Sequence, residues 1–160
     1  MSSIAIRSLC EDDLNWLRQV IETEWSSIRV VSRGKVHYVD QLMGFVAIQK
    51  RKRVGLLTFK IDDQECEIIT LNSLKENTGI GSKLIAKIEE YTSSMGCRRI
   101  WLVTTNDNLN AIRFFQKKGY SLSAFYRNAV EDSRRLKPEI PLIGMDGIHI
   151  RDEIELEKIL

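Results

Sequence analysis

Apolar residues along this chain change period several times, and each change marks a new element. Residues 4–9 (Ile-Ala-Ile-Arg-Ser-Leu) alternate as a short strand does. Over residues 11–25 the apolar positions Leu14, Leu17, Ile21 and Trp25 fall three or four apart, one stripe of a helix whose start Asp12 or Asp13 can cap. Residues 26–41 carry no clear period, and Arg33-Gly34-Lys35 reads as a turn or loop. From Leu42 the pattern is extended, giving strands at Met43–Gln49, 54–61 and 65–74 with turns at Lys50-Arg51-Lys52-Arg53 and Asp62-Asp63-Gln64. Connections this short make an antiparallel meander, because a parallel crossover needs a dozen residues or more.

The period then becomes helical. Ile80, Leu84, Ile88, Tyr91 and Met95 lie on one face, and Gly96 follows where a C-terminal cap belongs. Residues 99–105 (Arg-Ile-Trp-Leu-Val-Thr-Thr) read as a buried strand, so 65–105 forms a strand–helix–strand crossover with parallel strands. A second helix spans 109–118 and stops at Gly119, a strand covers 120–126, a short helix falls within 128–140 before Pro141, and a last strand covers 147–156. No repeat or linker divides the chain, so residues 1–160 are expected to form a single domain.

Composition narrows the classes. The 160 residues are 43% hydrophobic and 29% charged, enough apolar material for one core. The 24 basic and 22 acidic side chains nearly cancel, so charge gives no reason to expect nucleic acid or a membrane surface as a partner. No apolar run approaches the roughly 20 residues of a bilayer span. Acidic Glu11, Asp12 and Asp13 occupy the place of a signal peptide's apolar core, and a cytoplasmic location is the expectation. Cys10, Cys66 and Cys97 are sparse and odd in number, as reduced thiols are, and neither His37 nor His149 has a cysteine at metal-ligand spacing.

Chemistry concentrates at Glu76-Asn77-Thr78-Gly79-Ile80-Gly81-Ser82-Lys83, between the third meander strand and the long helix. Two glycines allow close backbone approach, and the free N–H groups and dipole of a helix N-terminus favour an anion such as a phosphate or pyrophosphate. Gly81-Ser82-Lys83 has the wrong order for a Walker loop, and Leu84 stands where a dinucleotide fingerprint has its third glycine. A tight turn that binds nothing is the other reading of these glycines.

A second stretch bears on the first. Asn108, Ala111, Phe114, Phe115, Lys117, Gly119 and Tyr120 follow the spacing of the pattern Asn-x-x-Ala-x-x-(apolar)-Tyr-x-Lys-x-Gly-Phe, and Glu76-x-x-Gly79-x-Gly81 that of Arg/Gln-x-x-Gly-x-Gly/Ala. In this order, behind a meander, they resemble the GNAT superfamily of acyl-CoA-dependent N-acetyltransferases over nearly the whole chain. The resemblance implies a mixed α/β fold, a central sheet with a splayed parallel pair and flanking helices. It implies acetyl-CoA as acyl donor, with no metal. Backbone groups of Leu71, Asn72 and Ser73 would pair with the pantetheine arm, and the Leu71 amide would face the thioester oxyanion. The amides of Gly79, Ile80, Gly81, Ser82 and Lys83 would hold the pyrophosphate, and Asn108 would hydrogen-bond the arm from its other side.

Transfer to an amine also needs a base, because an alkylammonium of pKa near ~10.4 must lose a proton before attack. Glu67 is the candidate: strict alternation puts it on one face with Ile69, Leu71 and Ser73, and Glu65 shares that parity further out. Two residues depart from the family pattern. Glu76 replaces Arg or Gln, and Phe115 stands where a proton-donating Tyr is common; Tyr126 is a substitute acid. Cys66 should point away from Glu67, and Cys97 follows the far end of the long helix, so direct attack in a ternary complex is favoured over an acetyl-cysteine. A non-catalytic acyl-CoA-binding module is the alternative that Phe115 suggests, and a nucleic-acid adaptor is a distant third. The expected acceptor is a small-molecule or peptide amine, and the resemblance allows a homodimer through C-terminal strands.

Overall fold

The computed structural model describes residues 3–75 and 78–160, which places Glu76 and its neighbour Asn77 outside the described residues. Among the described residues nine strands and four α-helices follow in the order β1 (Ala5–Ser8), α1 (Leu14–Trp25), β2 (Arg29–Ser32), β3 (Lys35–Tyr38), β4 (Met43–Gln49), β5 (Lys52–Asp62), β6 (Glu65–Ser73), α2 (Ile80–Ser94), β7 (Arg99–Thr105), α3 (Leu109–Lys117), β8 (Ser121–Tyr126), α4 (Ala129–Leu136) and β9 (Glu153–Ile159). Seven of the strands form one mixed sheet, ordered β1-β4-β5-β6-β7-β9-β8, and β2-β3 is a separate hairpin. The meander β4-β5-β6 is antiparallel and β6 lies parallel to β7, as the short turns and the crossover require.

Each face of the sheet has its own core. One carries α2 and α3 over Phe45, Leu57, Phe59, Cys66, Ile68, Leu84, Ile88, Ile100, Phe115 and Leu156. The other carries α1, with Leu17 and Ile21 packed on Val46, Leu56 and Ile69. The α2 stripe read from the sequence faces the core from Ile80 through Tyr91, whereas Met95 at its end is exposed; Gly96 caps that helix at φ +76°, left-handed backbone that suits glycine.

Three expectations need correction. The unpatterned residues 26–41 hold the β2–β3 hairpin, whose strands of four residues are too short to establish a period. The last strand begins at Glu153 rather than at 147: residues 145–147 form a 3₁₀ turn with Gly147 at φ +74°, and the Ile148/Ile150 alternation belongs to a loop. Asp13 occupies the cap position of α1 without making a side-chain cap bond. Instead its buried carboxylate takes both Nη atoms of Arg7 at 2.7 Å, Nε of Arg53 at 2.8 Å and the Cys10 amide at 2.9 Å, tying β1 and β5 to the helix start.

The Arg7 guanidinium holds the Asp13 carboxyl far below the usual carboxylate range. A carboxyl whose folded-state pKa is depressed stabilises the fold above its unfolded pKa and loses that contribution as pH falls toward the folded value. Asp13→Asn should therefore cost about 2 kcal/mol at pH 7, since both arginines are partly solvated, and should flatten the acid side of the stability profile. Urea denaturation from pH 3 to 8 measures both.

Candidate active site

β6 keeps company with β7 for only part of its length. The parallel ladder runs from Glu65–Arg99 to Ile68–Leu102 and ends there, while β7 continues along β9 as far as Thr105. The cause lies on the other side of β6. Thr58 pairs with Thr70 and Phe59 with Ile68, so Ile69 is an extra residue, a β-bulge, with the Thr58 and Thr70 hydroxyls 2.6 Å apart beside it. The bulged strand bends away and opens a gap against β7.

The bulge also breaks the alternation expected of Glu67, Ile69, Leu71 and Ser73. Glu67 and Ile69 lie on the α1 face, and Ile69 joins that core. Beyond the bulge the parity reverses: Leu71 packs with the α2 core, and Asn72, opposite Leu56, takes the α1 side. Cys66 points away from Glu67 as expected, and burial pushes its thiol up to about 12, so it is no nucleophile at neutral pH.

Elements outside the sheet line the gap. A cavity of about 480 Å³ is bounded by Trp25, Val30, Val31, Leu71, Asn72 and Asn108, with Lys137, Ile140, Gly144 and Met145 opposite. A smaller one of about 90 Å³ continues inward past Thr105 and Val103 to Ser32, Glu153 and Glu67. Asn72 Oδ1 is buried on this wall without a hydrogen-bond partner among the described residues. An orphaned buried acceptor costs roughly 1–3 kcal/mol, a penalty that an N–H donor entering the gap would remove.

Beyond Leu71–Ser73 along the chain, α2 opens on Gly79 at φ +79°, and among the described residues no side chain caps its first amides. A Cβ on Gly81 would meet the Phe114 ring of α3 at 3.3 Å, so a bare backbone lies here between two helices. Asn108 caps α3 by accepting from the Ala111 amide at 3.2 Å, and it borders both cavities.

The roof over the gap is the β2–β3 hairpin, held at two ends. At its tip Arg33 binds buried Glu153 and stacks 3.3 Å over the Tyr126 ring. At its base the buried Lys137 ammonium donates to the carbonyls of Trp25 and Arg29 at 2.6 and 2.9 Å. The loop before β9 is fastened to the β7–α3 corner, where Asp107 Oδ2 accepts from the Met145 amide and Asn106 Oδ1 from the amides of Arg151 and Asp152. The sequence reading missed Lys137, Asn106 and Asp107. The only signal was the Asn-Asp pair at the end of a strand.

Glu67 stands at the closed end of the gap, 8% exposed, with Ser32 Oγ at 3.5 Å. Burial raises its pKa to about 7. Glu65 is differently placed: Arg98 and Arg99 hold it at 2.8 and 2.7 Å, and the Arg98 hydrogen bond leads in lowering its pKa. Phe115 is buried, its ring edge-on to Phe114 and Tyr120. Tyr126 donates to Glu155 and borders none of the cavities described here.

A family model for the acetyltransferase (GNAT) family matches residues 10–120, from ahead of α1 to the end of the Asn108–Tyr120 motif. The chain belongs to the GNAT acetyltransferase family. This acetyltransferase is 45% identical over 137 residues to the Bacillus subtilis (strain 168) protein YdhI, covering 85% of the chain and 86% of YdhI. Its fold matches the IAA acetyltransferase of Bacillus cereus ATCC 14579 at a TM-score of 0.73, with 21% identity and 99% and 100% of the two chains covered. It also matches a Bacillus subtilis acetyltransferase in complex with CoA at 0.71, with 20% identity and 100% and 99% covered. Among the described residues no helix is long and apolar enough to cross a membrane, and no cluster of acidic, His and Cys side chains could hold a metal ion.

Proposed function

We propose that this acetyltransferase moves the acetyl group of acetyl-CoA to an amine by direct attack within a ternary complex. The observation that carries this reading is Glu67, a buried carboxyl with a pKa near neutrality at the end of a gap wide enough for the reacting groups. The unpaired upper part of β6 supports a place for the pantetheine arm beside Leu71, Asn72 and Ser73, and Asn72 Oδ1 is an acceptor for one of its amides. The start of α2, which no side chain caps among the described residues, supports pyrophosphate binding by the amides of Gly79, Ile80, Gly81, Ser82 and Lys83. Asn108 borders the same space.

With the donor seated there, Glu67 takes a proton from the ammonium group, directly or through one water. The nitrogen lone pair forms a bond to the thioester carbonyl carbon, and the Leu71 amide faces the oxyanion that develops. The tetrahedral centre collapses with loss of the C–S bond while its nitrogen gives up its remaining extra proton to the departing sulfur or to water, giving the neutral amide and CoA, a good leaving group because thiols have pKa values near ~8.5. The acceptor enters from the larger cavity, between the Trp25–Val31 wall and the loop around Met145.

A non-catalytic acyl-CoA-binding module is the second reading, favoured by Phe115. Its ring fills the core between Phe114 and Tyr120, so the missing hydroxyl weakens the case for a family-type acid without removing a group from the gap. The test is thiol release from acetyl-CoA in the presence of a short alkylamine, an amino-acid amide and a peptide with a free N-terminus. Turnover of any of them that rises through pH 7 is the expected result. Tight acetyl-CoA binding with no turnover would favour the module.

A further inference from the structure

Glu67 has a second neighbourhood, on the side away from the gap. It borders a surface cleft of about 210 Å³ together with Lys35, Lys60, Asp62, Asp63, Glu65 and Trp101. Lys60 is its direct partner across the β5–β6 ladder, so the two side chains leave the sheet on the same face with Cβ atoms roughly 5 Å apart. Lys35 arrives from the hairpin, directly opposite Ser32, the residue whose hydroxyl reaches Glu67.

The other charges around this carboxyl are already matched. Glu65 is held by Arg98 and Arg99, Glu155 by Arg99 and the Tyr126 hydroxyl, and Glu153 by Arg33. Asp62 and Asp63 are exposed on the β5–β6 turn, and Asp63 lies 3.7 Å from Arg98. Among the described residues neither Lys35 nor Lys60 forms an ion pair within 4 Å, so their charges are not cancelled by a nearer carboxylate. Burial alone would keep a carboxyl this deep protonated well above neutral pH; the Ser32 hydroxyl and then the two lysine charges oppose it.

We propose that Lys60 and Lys35 act as positioning charges for Glu67, keeping part of its population ionised at neutral pH so that it can accept a proton from the gap side. The proposal rests on the reading of Glu67 as the base and assigns a role to two lysines that touch neither the donor nor the acceptor. Both are exposed, and their removal leaves the core intact. The lysines keep their own protons; the proton that Glu67 collects passes to solvent water at the cleft.

The test is a direct titration of the Glu67 carboxyl by NMR in protein labelled with ¹³C-glutamate, its resonance assigned by its loss in Glu67→Gln. It needs neither acceptor nor turnover. Lys60→Met and Lys35→Met should each move the midpoint up by roughly half a pH unit, and the double variant by about their sum. Lys60→Arg, which restores the charge, should return it to the wild-type value. A midpoint unmoved in Lys60→Met overturns the proposal. Full turnover by Glu67→Gln would remove the base itself and with it the catalytic meaning of the lysines, whatever the titration reads, so the two failures are distinguishable.

Discussion

Glu67→Gln should lower kcat/KM for the acetylated amine by a factor of about 10² to 10⁴, the range general base catalysis supplies, with little change in the KM for acetyl-CoA. Wild type should lose activity as pH falls through about 7, where Glu67 becomes protonated, and the variant should lose that acid limb. Stability should respond the other way. The native carboxyl, at about 7, holds its proton more tightly than the unfolded one at 4.5, so folding takes up a proton between those values. Stability therefore declines as pH rises across that window, by up to about 3 kcal/mol for a group buried this deeply. Glu67→Gln, which has no charge to bury, should be more stable than wild type at pH 8. A thermal unfolding series at pH 5 and 8, run beside the kinetics, checks both signs. A variant that is inactive and less stable at pH 8 would mean that structural damage explains the lost activity.

Gly81→Glu should abolish acetyl-CoA binding in a calorimetric titration, a loss of a hundredfold or more. Two effects add. A side chain at this position meets the Phe114 ring at 3.3 Å, and a carboxylate stands in front of amides that would otherwise bind a diphosphate through charge-assisted hydrogen bonds of roughly 1.5–3 kcal/mol each. A general loss of stability would not explain the result, because an acidic residue in the first turn of a helix complements its dipole. The apo protein should unfold at or above the wild-type temperature. Gly81→Ala adds only the ring contact and should weaken binding far less. Undiminished binding by Gly81→Glu would remove the start of α2 from the donor site.

Where side chains repeat with a period, the sequence disclosed the structure. The α2 stripe, the meander and the strand at Arg99–Thr105 are long enough for hydrophobic spacing to specify them, and the turn residues agree with it. Of the two motifs, the asparagine-centred one falls on the wall of the gap, where Asn108 borders both cavities. What escaped depends on partners distant in sequence. Residues 26–41 fold as a hairpin because Val30 packs against α1, Arg33 reaches Glu153 and Lys137 holds its base, and no local pattern encodes those contacts. Ile148 and Ile150 alternate like a strand yet serve a loop, since Asp107 and Asn106 have already bound that segment's backbone. The β6 bulge was invisible for a related reason. A bulge is a mismatch between two strands, and Glu-Cys-Glu-Ile-Ile-Thr-Leu-Asn-Ser read alone has no means of indicating that Ile69 lacks an opposite number.

That unmatched residue makes the gap a matter of counting. β5 spans Thr58 to Phe59 with no residue between, and β6 answers with Thr70, Ile69 and Ile68, one more than the ladder needs. Deleting Ile69 would leave every remaining pair in place: Ile68 and Leu71 would still face α2, and Thr70 would still face Thr58. No polar or charged side chain would be removed. The strand would simply run straight, free to zip along β7 toward Thr105 and close the space in which two substrates are proposed to meet. The opening therefore depends on the length of one strand exceeding that of its neighbour by a single amide unit. Substitution at Ile69 can adjust its lining, and only a change in chain length can abolish it.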